Sequence, residues 1–399
     1  MRIGAFQDNG QVIGTDMNDL LRIYVLWHPE SAAGQRMADA IAKHFDGLGM
    51  ERDGVAYRVP VRFRSEPWDS SSGSATPREI LWDDAEHNAI VLLHDEFTMR
   101  DVSMWDAYVR TARDAMGRRK NVDVYIPFLC SSLGGSLPSD ATTQYARQYR
   151  WATALPDETA RTKRLLLHTL QRIRTHLRRL ADPRANREPL FVSHAKADGD
   201  ETAWGIVNHV NSKDQDVPLD TFYDAKELMP GEDYQERFKD EIGEGTLLAI
   251  VSDLYDTRPW CVFELTEAKR RRRPIVLADV GRVRTSRTYP YGANVPRVRF
   301  VPSDRAAIEA LLVEVISEGL RCDLFTRLAE KTLAARGRKG IALPRPPELF
   351  DLLDRGVDQL GDWIVYPDPP VPDVEREILD NALMRVAPAT RIITLGELA

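Results

Sequence analysis

The chain has 399 residues, more than one compact domain usually holds, so its length implies two or three domains. Hydrophobic residues at 43% and charged residues at 29%, with 24 each of Gly and Pro, exclude the disordered and fibrous classes. The 54 basic residues against 61 acidic ones leave a formal net charge of −7, which argues against a coat for nucleic acid or an anionic membrane.

Cys130, Cys261 and Cys322 are odd in number and widely spaced, so neither a disulfide framework nor a zinc site is expected. The N-terminal MRIGAFQDNG lacks a signal pattern, and no apolar run approaches the roughly 18 residues that cross a bilayer. A soluble protein of the reducing cytoplasm is the expectation, with no membrane partner.

The first strand is read at Ile23 to Trp27, followed by a helix with Met37, Ile41, Phe45 and Leu48 on one face. Tyr57 to Phe63, a Ser/Gly-rich stretch at Asp69 to Thr76, and a buried-looking strand Ala89 to Leu93 come next, with a helix after Ser103. Val122 to Phe128 and the strand-like Tyr149 to Leu155 complete a βα series, which predicts a parallel sheet with helices on both faces. A long helix from Asp157 to Leu180 closes it, its apolar stripe formed by Leu166, Leu170, Ile173, Leu177 and Leu180. The Arg residues between Arg161 and Arg179 read as the exposed face of an interdomain helix.

The polar segment from Asp182 reads as a linker, and after it the pattern restarts. Strands are expected at Leu190 to Val192, Asp220 to Tyr223, Leu247 to Val251, Ile275 to Val280 and Val298 to Val301. Helices are expected around Thr202 to Asn211, Tyr234 to Ile242 and Pro259 to Arg271, and in a terminal helix bearing Ile308, Leu312, Val315 and Ile316. Two series of the same element order suggest duplication rather than a solenoid of short repeats. The tail is expected to hold strands Trp363 to Tyr366 and Arg391 to Leu395 around a helix Asp373 to Val386. The division is therefore 1–181, a linker at 182–189, 190–335, and a small βαβ appendage at 336–399.

The informative residues lie in the second series. Its first strand ends in FVSHAKADGD, at the end of a parallel strand where ligands bind in open α/β sheets. Tyr223 precedes the polar loop AKELMPGED, and Ser252 ends the third strand. Trp260 and Glu264 are four residues apart on one helix face, near a start marked by Pro259. A carboxylate beside an aromatic wall suits glycosidic chemistry, because an anion stabilises an oxocarbenium-like sugar. Alone, such a pair is more often a buried indole next to a solvated carboxylate.

The ordered set FVSHAKAD, FYDAKELMPGED and LLAIVSDLYDTRPWCVFELTEA resembles the three sequence boxes of Toll/interleukin-1 receptor (TIR) domains, especially bacterial ones. The resemblance implies a flavodoxin-like fold and, in catalytic members, cleavage of NAD+ at the nicotinamide-ribose bond, with NAD+ as substrate and no cofactor or metal. It places the catalytic role on Glu264, with Ser193, His194, Ala195, Lys196, Asp198, Tyr223, Ser252 and Trp260 lining the substrate site. It places TIR to TIR contact on the loop Met229, Pro230, Gly231 and Glu232. It further implies self-association and a bacterial immune, antiphage effector activated by assembly. The alternatives are a non-enzymatic TIR scaffold and a nucleoside deoxyribosyltransferase-like enzyme.

Laid on the second series, the first puts Trp105 at the place of Trp260 and Val109 at that of Glu264, with His28 and Pro29 where Ser193 would be. Valine neither carries charge nor binds a hydroxyl, so 1–181 reads as a degenerate, inactive TIR-like copy. Lys269 to Arg273 reads as a solvated helix end complementing the helix dipole. The eight histidines show no paired ligand spacing, and no Gly-x-Gly-x-x-Gly or P-loop is present.

Overall fold

The computed structural model describes residues 19–48, 50–52, 55–57, 59–65, 77–133, 135–183, 185, 189–212, 216–222, 242, 245–281, 292–302, 305–353 and 360–398. Its strands assemble into three parallel sheets and a two-stranded antiparallel hairpin, β2 (Met50–Arg52) with β3 (Val55–Tyr57).

The first sheet has the order β4-β1-β5-β6, built from β1 (Asp19–Trp27), β4 (Val61–Arg64), β5 (Ala85–His94) and β6 (Val124–Leu129). Its central strands β1 and β5 are near-continuous runs of buried residues, the mark of strands covered on both faces. One face is covered by helix α1 (Ala32–Asp46), which starts where Ser31 accepts the Gly34 N–H, and by α5 (Glu158–Ala181), capped by Asp157 through the Ala160 N–H. The other face is covered by α3 (Val102–Arg118), which follows a short helix α2 (Glu96–Arg100).

The run Tyr149 to Leu155 is not a strand. It forms a 3-10 turn, Gln148–Arg150, and a single helical turn α4 (Trp151–Ala154). Trp151 and Leu155 are both buried, and their spacing of four satisfies a helix as well as an alternating strand, so periodicity could not separate the two. Among the described residues, pairing on the outer side of β6 is one bridge, Phe128 with Ala146.

The second sheet has the order β11-β10-β9-β7-β8, from β7 (Pro189–His194), β8 (Asp220–Phe222), β9 (Thr246–Val251), β10 (Ile275–Asp279) and β11 (Arg297–Arg299). Read from β8, this is the doubly wound order 2-1-3-4-5, whose direction of winding reverses between β7 and β9. Helices α6 (Asp200–Asn211) and α8 (Arg305–Ala335) cover one face, and α7 (Pro259–Arg270) covers the other. The expected helix Tyr234 to Ile242 and the stretch Asp69 to Thr76 lie almost entirely outside the described residues.

The two sheets share a core. One continuous apolar cluster runs from Ile23, Val25 and Val91 of the first sheet through Leu166 and Leu170 of α5, then Leu312 and Ile316 of α8, to Val192 and Ile250 of the second. Helix α5 is consequently not an exposed connector. Arg164 and Arg174, expected on a solvated face, are among the most deeply buried side chains. Arg164 pairs with Glu309 of α8 in a bidentate contact, Nε to Oε2 at 2.8 Å, and His209 of α6 lies against the same carboxylate. Arg174 donates to Asp323 at 2.7 Å and to the Thr246 hydroxyl at 2.9 Å. Two helices that each need to bury an apolar stripe have met, and the arginines within that contact are paired with carboxylates, although among the described residues Arg164 Nη1 is buried without a hydrogen-bond partner.

Gly319 permits this approach, since a Cβ there would lie 2.4 Å from the Arg174 guanidinium carbon. His44 of α1 also crosses to α8, its Nε2 2.9 Å from the Ser317 hydroxyl.

The third sheet, β12-β13-β14, consists of β12 (Gly340–Ala342), β13 (Trp363–Tyr366) and β14 (Arg391–Thr394). Helices α9 (Leu349–Leu353), α10 (Asp373–Val386) and α11 (Leu395–Leu398) accompany it. Among the described residues no helix is long and apolar enough to cross a membrane.

Candidate active site

The strands β7 and β9 lie side by side in register, Ser193 beside Ala249 and His194 beside Ile250, so the loops that follow them open at the reversal point of the sheet. The β7 loop folds back on itself: the Ala195 carbonyl accepts the N–H groups of Asp198 and Gly199. Asp198 then joins the two loops, one carboxylate oxygen accepting the Ser252 hydroxyl at 2.6 Å and the other the Leu254 N–H at 2.9 Å.

Helix α7 begins at Pro259, whose fixed φ suits the first helical position, after Arg258 in extended conformation. Its start is pinned to β7, where the Cys261 thiol donates to the His194 carbonyl at 3.4 Å. Glu264 thereby points at the strand end and is buried, 5% exposed. Its carboxylate accepts a hydrogen bond from the Ser193 hydroxyl, which also lies 2.8 Å from the Tyr255 hydroxyl. Trp260, one turn earlier, is 51% exposed and meets Phe263 edge to face with centroids 6.0 Å apart. The face shared by Trp260 and Glu264 thus carries an indole at its outer end and a carboxylate at its inner end.

Of the residues singled out in the sequence, Glu264 and Ser193 are in direct contact, as are Asp198 and Ser252. His194 is buried, with Nε2 3.2 Å from the Asp200 carboxylate, and Ala195 belongs to the core beneath α7. Lys196 is exposed. Tyr223, Met229, Pro230, Gly231 and Glu232 lie outside the described residues. Sequence reading passed over Tyr255, a fully buried aromatic in a polar loop three residues after Ser252. Its presence in SDLYDT, immediately after an all-apolar strand, was the available signal.

At the other end of α7, Lys269 is not part of a solvated tail. It is buried, its Nζ bonded to the Ala293 carbonyl at 2.9 Å and to Glu348 at 2.6 Å. Burial pulls its ammonium pKa down, and Glu348 opposes that. Arg272, just past the helix, donates to the Ala342 carbonyl of β12, so the end of the helix bearing Glu264 is tied to the third sheet. The expectation failed because Lys269 to Arg273 is an unbroken run of cations, and only packing decides which of them is covered.

In the first sheet the corresponding helix is apolar at this place. Trp105 and Val109 are both buried, in one cluster with Tyr24, Leu26, Ile90 and Leu92. His28 directly follows β1, with Nδ1 accepting the Glu30 N–H at 3.1 Å and Nε2 2.9 Å from Asp101. Among the described residues no group of three His, Cys, Asp or Glu side chains could hold a metal ion.

A doubly wound parallel sheet with a buried carboxylate at its reversal point defines the class: an open α/β unit, the kind of sheet that binds ligands at its strand ends. Residues 190–312 match the model of the TIR domain family, and this part of the chain is a TIR domain. Among solved structures the chain is similar to the TIR domains in the activated Roq1 resistosome recognising the pathogen effector XopQ. The identity is 26%, covering 23% of this chain and 58% of that one, with a TM-score of 0.21. It is also similar to tagatose-6-phosphate ketose/aldose isomerase from Escherichia coli, at 11% identity over 77% of this chain and 82% of that one, again with a TM-score of 0.21. No curated protein matches the chain.

Proposed function

We propose that the protein is a TIR-domain NAD+ glycohydrolase that cleaves the nicotinamide-ribose bond through Glu264. The observation that carries this reading is the buried Glu264 carboxylate held by Ser193 at the reversal point of the sheet, within the TIR domain. In the reaction, the Glu264 carboxylate binds the ribose hydroxyls and offsets the positive charge that develops on the sugar as nicotinamide leaves neutral. Half-exposed Trp260 supplies an aromatic wall at the mouth, against which a flat base or ribose packs. The Asp198 bridge keeps the two loops in register around the crevice. Water as the acceptor yields ADP-ribose; an internal adenine nitrogen yields a cyclic product.

Self-association, cytoplasmic action and an antiphage role follow from the resemblance of the domain to its family and belong to the same proposal. So does the inactivity of the first copy, supported by the apolar burial of Trp105 and Val109.

Incubating the purified full chain with NAD+ and identifying the products, beside Glu264→Gln, tests the assignment. Nicotinamide release by the native protein and loss of at least about a hundredfold in the variant are expected for removal of a transition-state charge partner. Equal rates from both proteins reject the mechanism. No release by either, with NAD+ intact, favours a scaffold that works through protein contacts.

A further inference from the structure

We propose that Tyr255 is a positioning residue for Glu264, acting through the Ser193 hydroxyl. The inference rests on the reading of Glu264 as the catalytic carboxylate and adds a residue to that site.

Three segments converge here. Tyr255 opens a 3-10 turn, Tyr255–Thr257, in the connection between β9 and α7; Ser193 is on β7; Glu264 is on α7. All three are buried, with Tyr255 at 0%, Ser193 at 1% and Glu264 at 5% exposure. The Ser193 oxygen lies 2.8 Å from the Tyr255 hydroxyl and donates to Glu264 Oε2. A serine hydroxyl has one proton. With Glu264 ionised, that proton is committed to the carboxylate, so the Tyr255 hydroxyl must be the donor to Ser193.

The chain therefore has one direction, from tyrosine to serine to carboxylate. Each bond polarises the next in a setting away from water, so the tyrosine strengthens the bond that Ser193 makes to Glu264. It also fixes the serine rotor, which would otherwise turn toward any local acceptor. Backbone geometry holds the far end in place: the Tyr255 N–H donates to the Ser252 carbonyl at 3.2 Å, and Ser252 itself is held by Asp198. The loop bridge and the carboxylate are thus parts of one hydrogen-bonded assembly. Tyr255 reaches the substrate only through other side chains, so it sets where the carboxylate points and not what is bound.

The test uses the full chain with Tyr255→Phe, Ser193→Ala and the double variant. Readouts are nicotinamide release from NAD+, thermal unfolding, and the isotope-edited infrared carboxylate band assigned to Glu264 by its absence in Glu264→Gln. Tyr255→Phe is expected to lower kcat about tenfold, the worth of one hydrogen bond, with KM changed by less than about twofold. The Glu264 band is expected to shift, and Tyr255→Phe is expected to add little to Ser193→Ala, because the tyrosine works through the serine. Fluorotyrosine in place of Tyr255 keeps the hydroxyl but makes it a stronger donor, and it is expected to move the band opposite to phenylalanine. That variant carries the test if Tyr255→Phe does not fold.

Unchanged kcat with an unmoved band in Tyr255→Phe, or full additivity in the double variant, overturns the proposal. A native protein that releases no nicotinamide overturns the glycohydrolase reading instead. In that case the infrared band alone decides on Tyr255: a shift supports the relay, and an unmoved band rejects it.

Discussion

Glu264, Arg164 and Glu309 are charged residues in the interior, and each is there under different terms. Glu264 keeps its carboxylate at the end of a strand, where it accepts the Ser193 hydroxyl. Glu309 sits between Arg164 and His209; burial works to raise its carboxyl pKa, and the hydrogen bonds with Arg164 and His209 hold it below the usual carboxylate range. Truncating one member of such a pair leaves the other charge buried and uncompensated, so Glu309→Ala is expected to cost about 3–5 kcal/mol in urea unfolding. The double change Arg164→Met, Glu309→Leu fills the same space without charge and is expected to recover most of that loss. At the site, Asp198→Ala removes two bonds between the crevice loops and is expected to lower stability by about 1–2 kcal/mol, with a several-fold fall in NAD+ turnover. Equal melting temperatures for Asp198→Ala and the native chain would show that the loops are held by other contacts.

At the scale of elements, the contact between α5 and α8 depends on Gly319. A methyl group there collides with an Arg174 guanidinium that is buried and bonded to Asp323 and Thr246, so the arginine cannot simply swing aside. Gly319→Ala, which on an exposed helix would stabilise by up to about 1 kcal/mol, is expected here to lower the melting temperature. Lys269 makes the equivalent point for α7. Glu348→Ala leaves its ammonium in a buried place without its carboxylate, and a loss of about 1–3 kcal/mol is expected. Because the same helix carries Glu264, turnover and thermal stability measured together report whether the third sheet influences the site. Both elements show what helical periodicity leaves open. It marks a stripe, and it does not say which of several polar neighbours the next element will cover.

For the whole molecule, the cluster common to both sheets means that residues 19–181 and 190–335 hide each other's apolar surface. A chain lacking residues 1–181 is expected to expose the α8 face and to aggregate or melt early, read by gel filtration and calorimetry. A stable, monomeric truncation with native turnover would show that the first sheet is dispensable for folding. The same seam is sensitive to acid. Burial, aided by Lys163 and Arg321, pushes the His44 pKa down to about 4, and burial also lowers that of His168, which stacks on Trp151. Both imidazoles are held neutral in the fold, whereas the unfolded chain binds protons below about pH 6.5. Stability is therefore expected to fall as pH drops from about 6.5 towards 4, by a few kcal/mol, and to be flat above 7 for these groups. His44→Gln is expected to flatten the slope in urea titrations at stepped pH.

The sequence by itself determined the βα order, most strand positions, Pro259 at the start of α7, and the pairing of Trp260 with Glu264 on one helix. Those features are local: apolar runs, a fixed φ and a spacing of four each act within a few residues. Only the tertiary structure decided that Tyr149 to Leu155 is helical, that Arg164, Arg174 and Lys269 are buried, and that Ser193 and Tyr255 converge on Glu264. Burial of a charge and the meeting of side chains from β7, the β9 connection and α7 depend on what another part of the chain brings to that place. That partner is set by packing between elements, which no local pattern records.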